Sequence, residues 1–218
     1  VLIFYKSFLN SKKYQYVCIL SCINRENSST MFEKIIRFFL QNRIRKQQKE
    51  EVRERKFVNY ENARTIILLF ESDYTEKNPE IRRIIQNLNA DGKKVMGWGY
   101  INKKEVTTAI LPDFRILHQK DTDFLQKPRE TFMRELDEME FDLLIDLTVN
   151  EVIPMEYLAL YAKASCKVGV RKNDYQLYDF MIDLEGIATQ TEENLFEIDA
   201  PFIYNQIIFY LKSIQTSD

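Results

Sequence analysis

FDLLIDLTVN (residues 141–150) is an almost uninterrupted apolar run with one acid, Asp146, in its second half. A strand buried on both faces reads this way, because helices on either side of a parallel sheet leave no face for polar side chains. Working outward, a helix-like segment follows at residues 153–164 and a strand-like one at 167–171. On the amino-terminal side, RTIILLF (64–70) is a second buried strand. Asn78-Pro79-Glu80 opens a helix with proline in its first turn, and Asp91-Gly92 closes it. KKVMGWGYI (93–101) and residues 114–118 are further strands, 128–140 is a charged helix, 178–184 a last strand, and APFIYNQIIFYLKSI (200–214) a closing amphipathic helix. Strands alternating with helices make βαβ units. The expectation is an α/β three-layer sandwich with a mostly parallel, Rossmann-like sheet of five to six strands, spanning residues 57–218.

A long basic helix precedes it. From Met31 to Lys56, apolar residues recur at spacings of three and four (Phe32, Ile35, Ile36, Phe39, Leu40, Ile44), while Arg37, Arg43, Arg45, Lys46 and Lys49 fill the other side. The net charge of −2 conceals this asymmetry: residues 31–56 carry +5, residues 1–30 carry +3, and the remaining body carries −10. A basic arm on an acidic body gives the two parts different partners. The helix itself reads first as a surface element docked by its apolar stripe on its own domain. An unknown protein is the favoured partner, with an anionic membrane surface or RNA as alternatives.

Residues 1–30 hold two apolar stretches, each far short of the roughly 20 residues a membrane helix needs. They read as a disordered leader or upstream translation ahead of Met31. A second reading takes Lys12-Lys13, a short apolar run and Ile19-Leu20-Ser21-Cys22 as a lipoprotein-type signal with Cys22 lipidated. The three cysteines form no disulfide framework, and Cys18-x-x-x-Cys22 with a lone His118 elsewhere is no zinc site. A cytoplasmic protein is the expectation.

Ligands of such sheets gather at the carboxyl ends of strands, where strand order reverses. Asp73 and Asn150 fall after strands, Arg171 ends one, and Asp146 and Asp183 lie near the ends of two others. Walker and dinucleotide fingerprints are absent, and Gly97-Trp98-Gly99 lies inside a strand, marking a bulge or a close contact. The spelling D-[LF]-[LM]-I-D-L occurs twice, at 142–147 and 179–184, and places Asp146 and Asp183 at equivalent points. Were those points adjacent, two carboxylates would shift one another's titration, bind magnesium or pair with Arg171. The simpler reading gives each acid to hydrogen bonds with a neighbouring loop. His118 has no nucleophile beside it in the sequence, and Cys166 reads as a small buried hydrophobe.

The order NARTIILLFE, GKKVMGWGYINKKE, LPDFRILHQKD, EFDLLIDLT, ASCKVGV and YDFMIDLEG resembles an uncharacterised family of small α/β proteins from Bacteroidetes over residues 31–214. These are strand signatures, and the resemblance implies no activity. FDLLIDL together with Ala164-x-x-x-x-Gly169 is more distantly similar to the first domain of heptosyltransferase-type glycosyltransferases, where such a strand precedes a helix ending in that motif. The glycine-bearing acceptor loop of those enzymes is missing, so the likeness implies a domain that binds something without transferring it. The rival expectation is a small-ligand-binding or glycosyltransferase-like enzyme using Asp146, Asp183 and Arg171, with Asp73 nearby. The leading expectation is a non-enzymatic binding domain whose contact arm is the basic helix, without a resident cofactor.

Overall fold

The computed structural model describes residues 28–50, 56–72, 78–104, 113–172, 175–184 and 198–214, with side chains from Met31 onward. The chain divides into two compact units, residues 1–39 and 40–218. Helix α1, Ser28–Glu50, crosses that division. It starts three residues before Met31, so residues 28–30, which the sequence reading leaves in the leader, are helical. Ile36 is buried in the first unit, and Leu40 and Ile44 in the second.

The second unit follows the alternating pattern. Among the described residues its strands and α-helices are β1 (Thr65–Glu71), α2 (Pro79–Ala90), β2 (Lys94–Ile101), β3 (Phe114–His118), α3 (Glu130–Asp137), β4 (Glu140–Asp146), α4 (Ile153–Tyr161), β5 (Lys163–Val170), β6 (Phe180–Ile182) and α5 (Ala200–Ser213). The sheet order is β3-β2-β1-β4-β5-β6. Every neighbouring pair is parallel. This is the doubly wound Rossmann-like arrangement, with order reversing between β1 and β4.

Alternation along β1 sorts the core into two layers. Ile66, Leu68 and Phe70 pack with α2 and α5 through Ile81, Ile84, Ile85, Leu88, Ile203, Ile207 and Leu211. Ile67 and Leu69 pack with α3 and α4 through Leu136, Met155, Leu158 and Ala159. Because both faces are covered, residues 66–70 are all buried, which is why the strand reads as continuous apolar sequence.

Local chemistry sets the helix ends. Pro79 occupies the first turn of α2, and Gly92 adopts φ +76° beyond its last turn, a conformation that costs a Cβ-bearing residue more. Asp199 accepts a hydrogen bond from the Phe202 amide at 2.8 Å and caps α5. Several bounds differ from the sequence expectation: α4 ends at Tyr161, short of residue 164, and β6 is only Phe180–Ile182. Helix α3 begins at Glu130 because Arg129 is extended (φ −63°, ψ 158°). Strand β5 starts at Lys163, so Ala164 to Gly169 lies wholly inside a strand and closes no helix. Gly97 and Gly99 sit in unbroken register with β3, without a bulge. Their smallness admits Phe70: a Cβ on Gly99 would fall 2.6 Å from that ring.

Candidate functional site

The carboxyl ends of β1 and β4 flank the reversal of strand order. There Asn150 Nδ2 donates to Glu71 Oε2 at 3.4 Å, and Asn78 Nδ2 donates to Ser72 Oγ at 2.8 Å. Asp73 lies outside the described residues.

Asp146, the last residue of β4, is fully buried. Its Oδ1 accepts from the Thr148 amide at 2.8 Å and the Thr148 hydroxyl at 2.7 Å. Its Oδ2 accepts from Lys172 Nζ at 2.9 Å and the Tyr178 hydroxyl at 2.5 Å. An ionised carboxylate offers about four acceptor positions, and here four donors take them. Burial, then the charge of Asp146 and the hydrogen bond to it, push the Tyr178 phenol well above its ordinary range, so it remains a donor at neutral pH. The Lys172 and Asp146 side chains are 3% and 0% exposed, which makes them a buried ion pair. A cation arriving at Asp146 would first have to displace that lysine.

Asp183 sits differently. It follows β6 and faces Arg171 Nε at 3.8 Å in a half-exposed pair. Arg171 and Asp183 are thus brought together, whereas Asp146 takes the next residue along, Lys172. Strand β5 separates β4 from β6.

The sequence echo has a structural counterpart in its first acid. Asp142 Oδ2 accepts from the Arg64 and Thr65 amides, both at 2.8 Å, and from the Thr65 hydroxyl at 3.0 Å. Asp179 Oδ2 accepts from the Lys167 amide at 2.8 Å. In each copy the leading aspartate receives a backbone N–H of a neighbouring strand. Desolvation raises the Asp142 pKa, yet the Thr65 and Arg64 hydrogen bonds together outweigh it and hold the group below the usual carboxylate range.

The connection between β5 and β6 supplies the residues that sequence reasoning missed. Lys172 and Tyr178 reach Asp146, Lys172 also meets the Thr148 hydroxyl, and Tyr175 donates to Glu156, a fully buried acid on α4. One sequence signal marked the spot: Glu156 is the single charge in the apolar helix IPMEYLALY. The void beside Glu156, Lys172, Tyr175 and Tyr178 is only about 10 Å³, the space of one water. Gly169 makes room for this packing, since a Cβ there would lie 2.9 Å from the Tyr178 ring. A larger cavity of about 950 Å³ opens at the other end of the sheet, beside Thr65, Glu140, Asp142, Tyr161 and Lys163. It lies away from the strand ends where such sheets take ligands.

Two other residues weighed in the sequence, His118 and Cys166, are both buried. His118 Nδ1 meets Asp121 Oδ2 at 3.1 Å, and its backbone amide donates to the same oxygen at 2.9 Å, capping a short 3-10 turn. Cys166 is fully buried. Among the described residues no group of histidines, cysteines and acids is placed to hold a metal ion.

On α1 the charges lie outside. Leu40 and Ile44 are buried, while Arg43, Arg45, Lys46 and Lys49 are exposed. Lys46 pairs loosely with Glu50 at 3.7 Å, both side chains about 60% exposed. Arg37, the remaining basic candidate, is half-buried in the first unit. The second-unit part of the helix is tied to the β5–β6 connection, since Gln48 Nε2 donates to the Gln176 carbonyl at 2.5 Å. No helix among the described residues is long and apolar enough to cross a membrane.

Comparison with solved structures finds shikimate dehydrogenase 1 from Peptoclostridium difficile, at 11% identity and a TM-score of 0.29, covering 80% of this chain and 62% of that one. The chain therefore spans less than two thirds of that protein's length. No curated protein matches the chain. The model of a family of unknown function, DUF6913, matches residues 33–197. That match takes in the whole sheet and most of α1, and the chain belongs to this family.

Proposed function

We propose that the protein is a binding domain that engages an anionic surface through the outward face of α1. The observation that supports this reading is the sorting of charge on that helix: Leu40 and Ile44 are buried, and Arg43, Arg45, Lys46 and Lys49 stand in solvent. Arg45 and Lys49 have no ion-pair partner among the described residues, so their charge is available to a partner. From Leu40 onward the helix buries its apolar side and is linked to the β5–β6 connection by Gln48, which holds the basic side outward at little entropic cost on binding. The acidic body, carrying −10 in residues 57–218, favours approach with this helix first.

The alternative of a small-ligand or glycosyltransferase-like site at Asp146 has less support, because the four donors around that carboxylate would have to be displaced together. The test is charge reversal. The wild-type chain and the triple variant Arg45→Glu/Lys46→Glu/Lys49→Glu are titrated against total RNA, phosphatidylglycerol vesicles and polyglutamate at low and high salt. Retention of one probe by the wild type, lost in the variant and weakened by salt, is the expected result. Failure of the wild type to retain any of the three would overturn the reading.

A further inference from the structure

The first unit adds an observation of its own. Between Ser28 and Phe39, α1 presents Met31 at 48% exposure and Phe38 at 58%, with Lys34 exposed between them. Spacings of three and four place these three side chains along one face of the helix. Large apolar side chains standing this far into water have a cost that a purely electrostatic partner does nothing to relieve. Residues 1–39 carry a net +4, and Glu33 is the one exposed acid among those described. Apolar side chains interleaved with a cation, on a helix too polar to span a bilayer, match the physics of an interfacial element.

We infer that this part of α1 seats on an anionic lipid surface, with Met31 and Phe38 entering the boundary of the acyl chains and Lys34 extending to the headgroups. The inference rests on the reading of α1 as the contact element and names the class of partner. Nucleic acid would draw on the cations and leave Met31 and Phe38 in water. A lipid interface takes up both kinds of side chain, because a lysine can lay its stem along apolar surface while its ammonium stays in the polar layer.

The experiment is co-sedimentation of the full 218-residue chain with phosphatidylcholine vesicles, with and without about 30% phosphatidylglycerol, at low and high salt. Three proteins are compared: wild type, Met31→Ser/Phe38→Ser, and the triple charge reversal. Thermal unfolding of each controls for folding, and the exposure of all the altered positions predicts little change. The expected result is binding that needs phosphatidylglycerol, fades with salt and falls about tenfold or more in the Met31→Ser/Phe38→Ser variant. Vesicle binding unaffected by that variant would overturn insertion. Retention of RNA or polyglutamate with no affinity for vesicles would overturn the lipid assignment while leaving the basic face as the contact surface.

Discussion

Two charged regions of this molecule differ in nearly every physical respect. Around Asp146, charge is buried, paired and saturated: a carboxylate with no exposed surface takes hydrogen bonds from Thr148, Lys172 and Tyr178. On the outer side of α1, charge is exposed, repeated and mostly of one sign. Buried paired charge is expensive to disturb. Exposed charge contributes little to stability and is open to a partner. The difference teaches that perturbing Asp146 should test folding, whereas perturbing α1 should test binding.

The largest expected effect is at the buried pair. Asp146→Asn strands the Lys172 ammonium without its counter-charge and should cost about 3–5 kcal/mol in urea unfolding. Adding Lys172→Met should recover most of that loss. Stability unchanged in Asp146→Asn would mean that Lys172 reaches water and the contrast with α1 is false. Tyr178→Phe removes one charged-acceptor hydrogen bond and should cost about 1.5–3 kcal/mol by the same measurement.

Gly169→Ala should cost about 1–3 kcal/mol, because its Cβ would press on the Tyr178 ring. If Gly169→Ala and Tyr178→Phe add fully in a double variant, the ring and its hydroxyl are independent; coupling would show that Gly169 acts through the position of Tyr178.

A pH effect comes next. Since the folded-state pKa of Asp142 is depressed, its contribution is present above the unfolded value of about 4 and is lost as pH falls through the lower folded value. Stability measured from pH 6 downward should therefore fall less steeply over that acid range in Asp142→Asn than in the wild type. Equal slopes would remove Asp142 from the account. The smallest effect on stability is expected from the triple reversal on α1, within about 0.5 kcal/mol, since its side chains are exposed.

Much of the fold was legible because burial on both faces writes itself into sequence as runs such as TIILLF and DLLID. The misplaced bounds have local causes. KASC, at the start of β5, continues the composition of the preceding helix, so periodicity alone could not separate them. The charged helix reads longer in sequence than it is, because neither the extended geometry of Arg129 nor the start of β4 at Glu140 leaves a mark in composition.

The site was less legible. Asp146 stands out as an acid in an apolar run, but its partners Thr148, Lys172 and Tyr178 lie outside any helix or strand, where no period predicts direction. Arg171 and Lys172 are adjacent cations; one pairs with Asp183 near the surface and the other enters the core, a choice fixed only by tertiary packing. The repeated D-[LF]-[LM]-I-D-L drew attention to its second acids. Its first acids, Asp142 and Asp179, do the more similar work, each tying a neighbouring strand by a backbone amide.

The most direct measurement is a pair of binding isotherms against whichever polyanion the wild-type chain retains. One variant is the repacked core, Asp146→Leu/Lys172→Met; the other is Arg45→Glu/Lys46→Glu/Lys49→Glu. The account predicts wild-type affinity for the first and loss of binding in the second, with both folded. Normal binding by the charge-reversed helix, together with failure of the repacked core, would contradict it and return the functional site to Asp146.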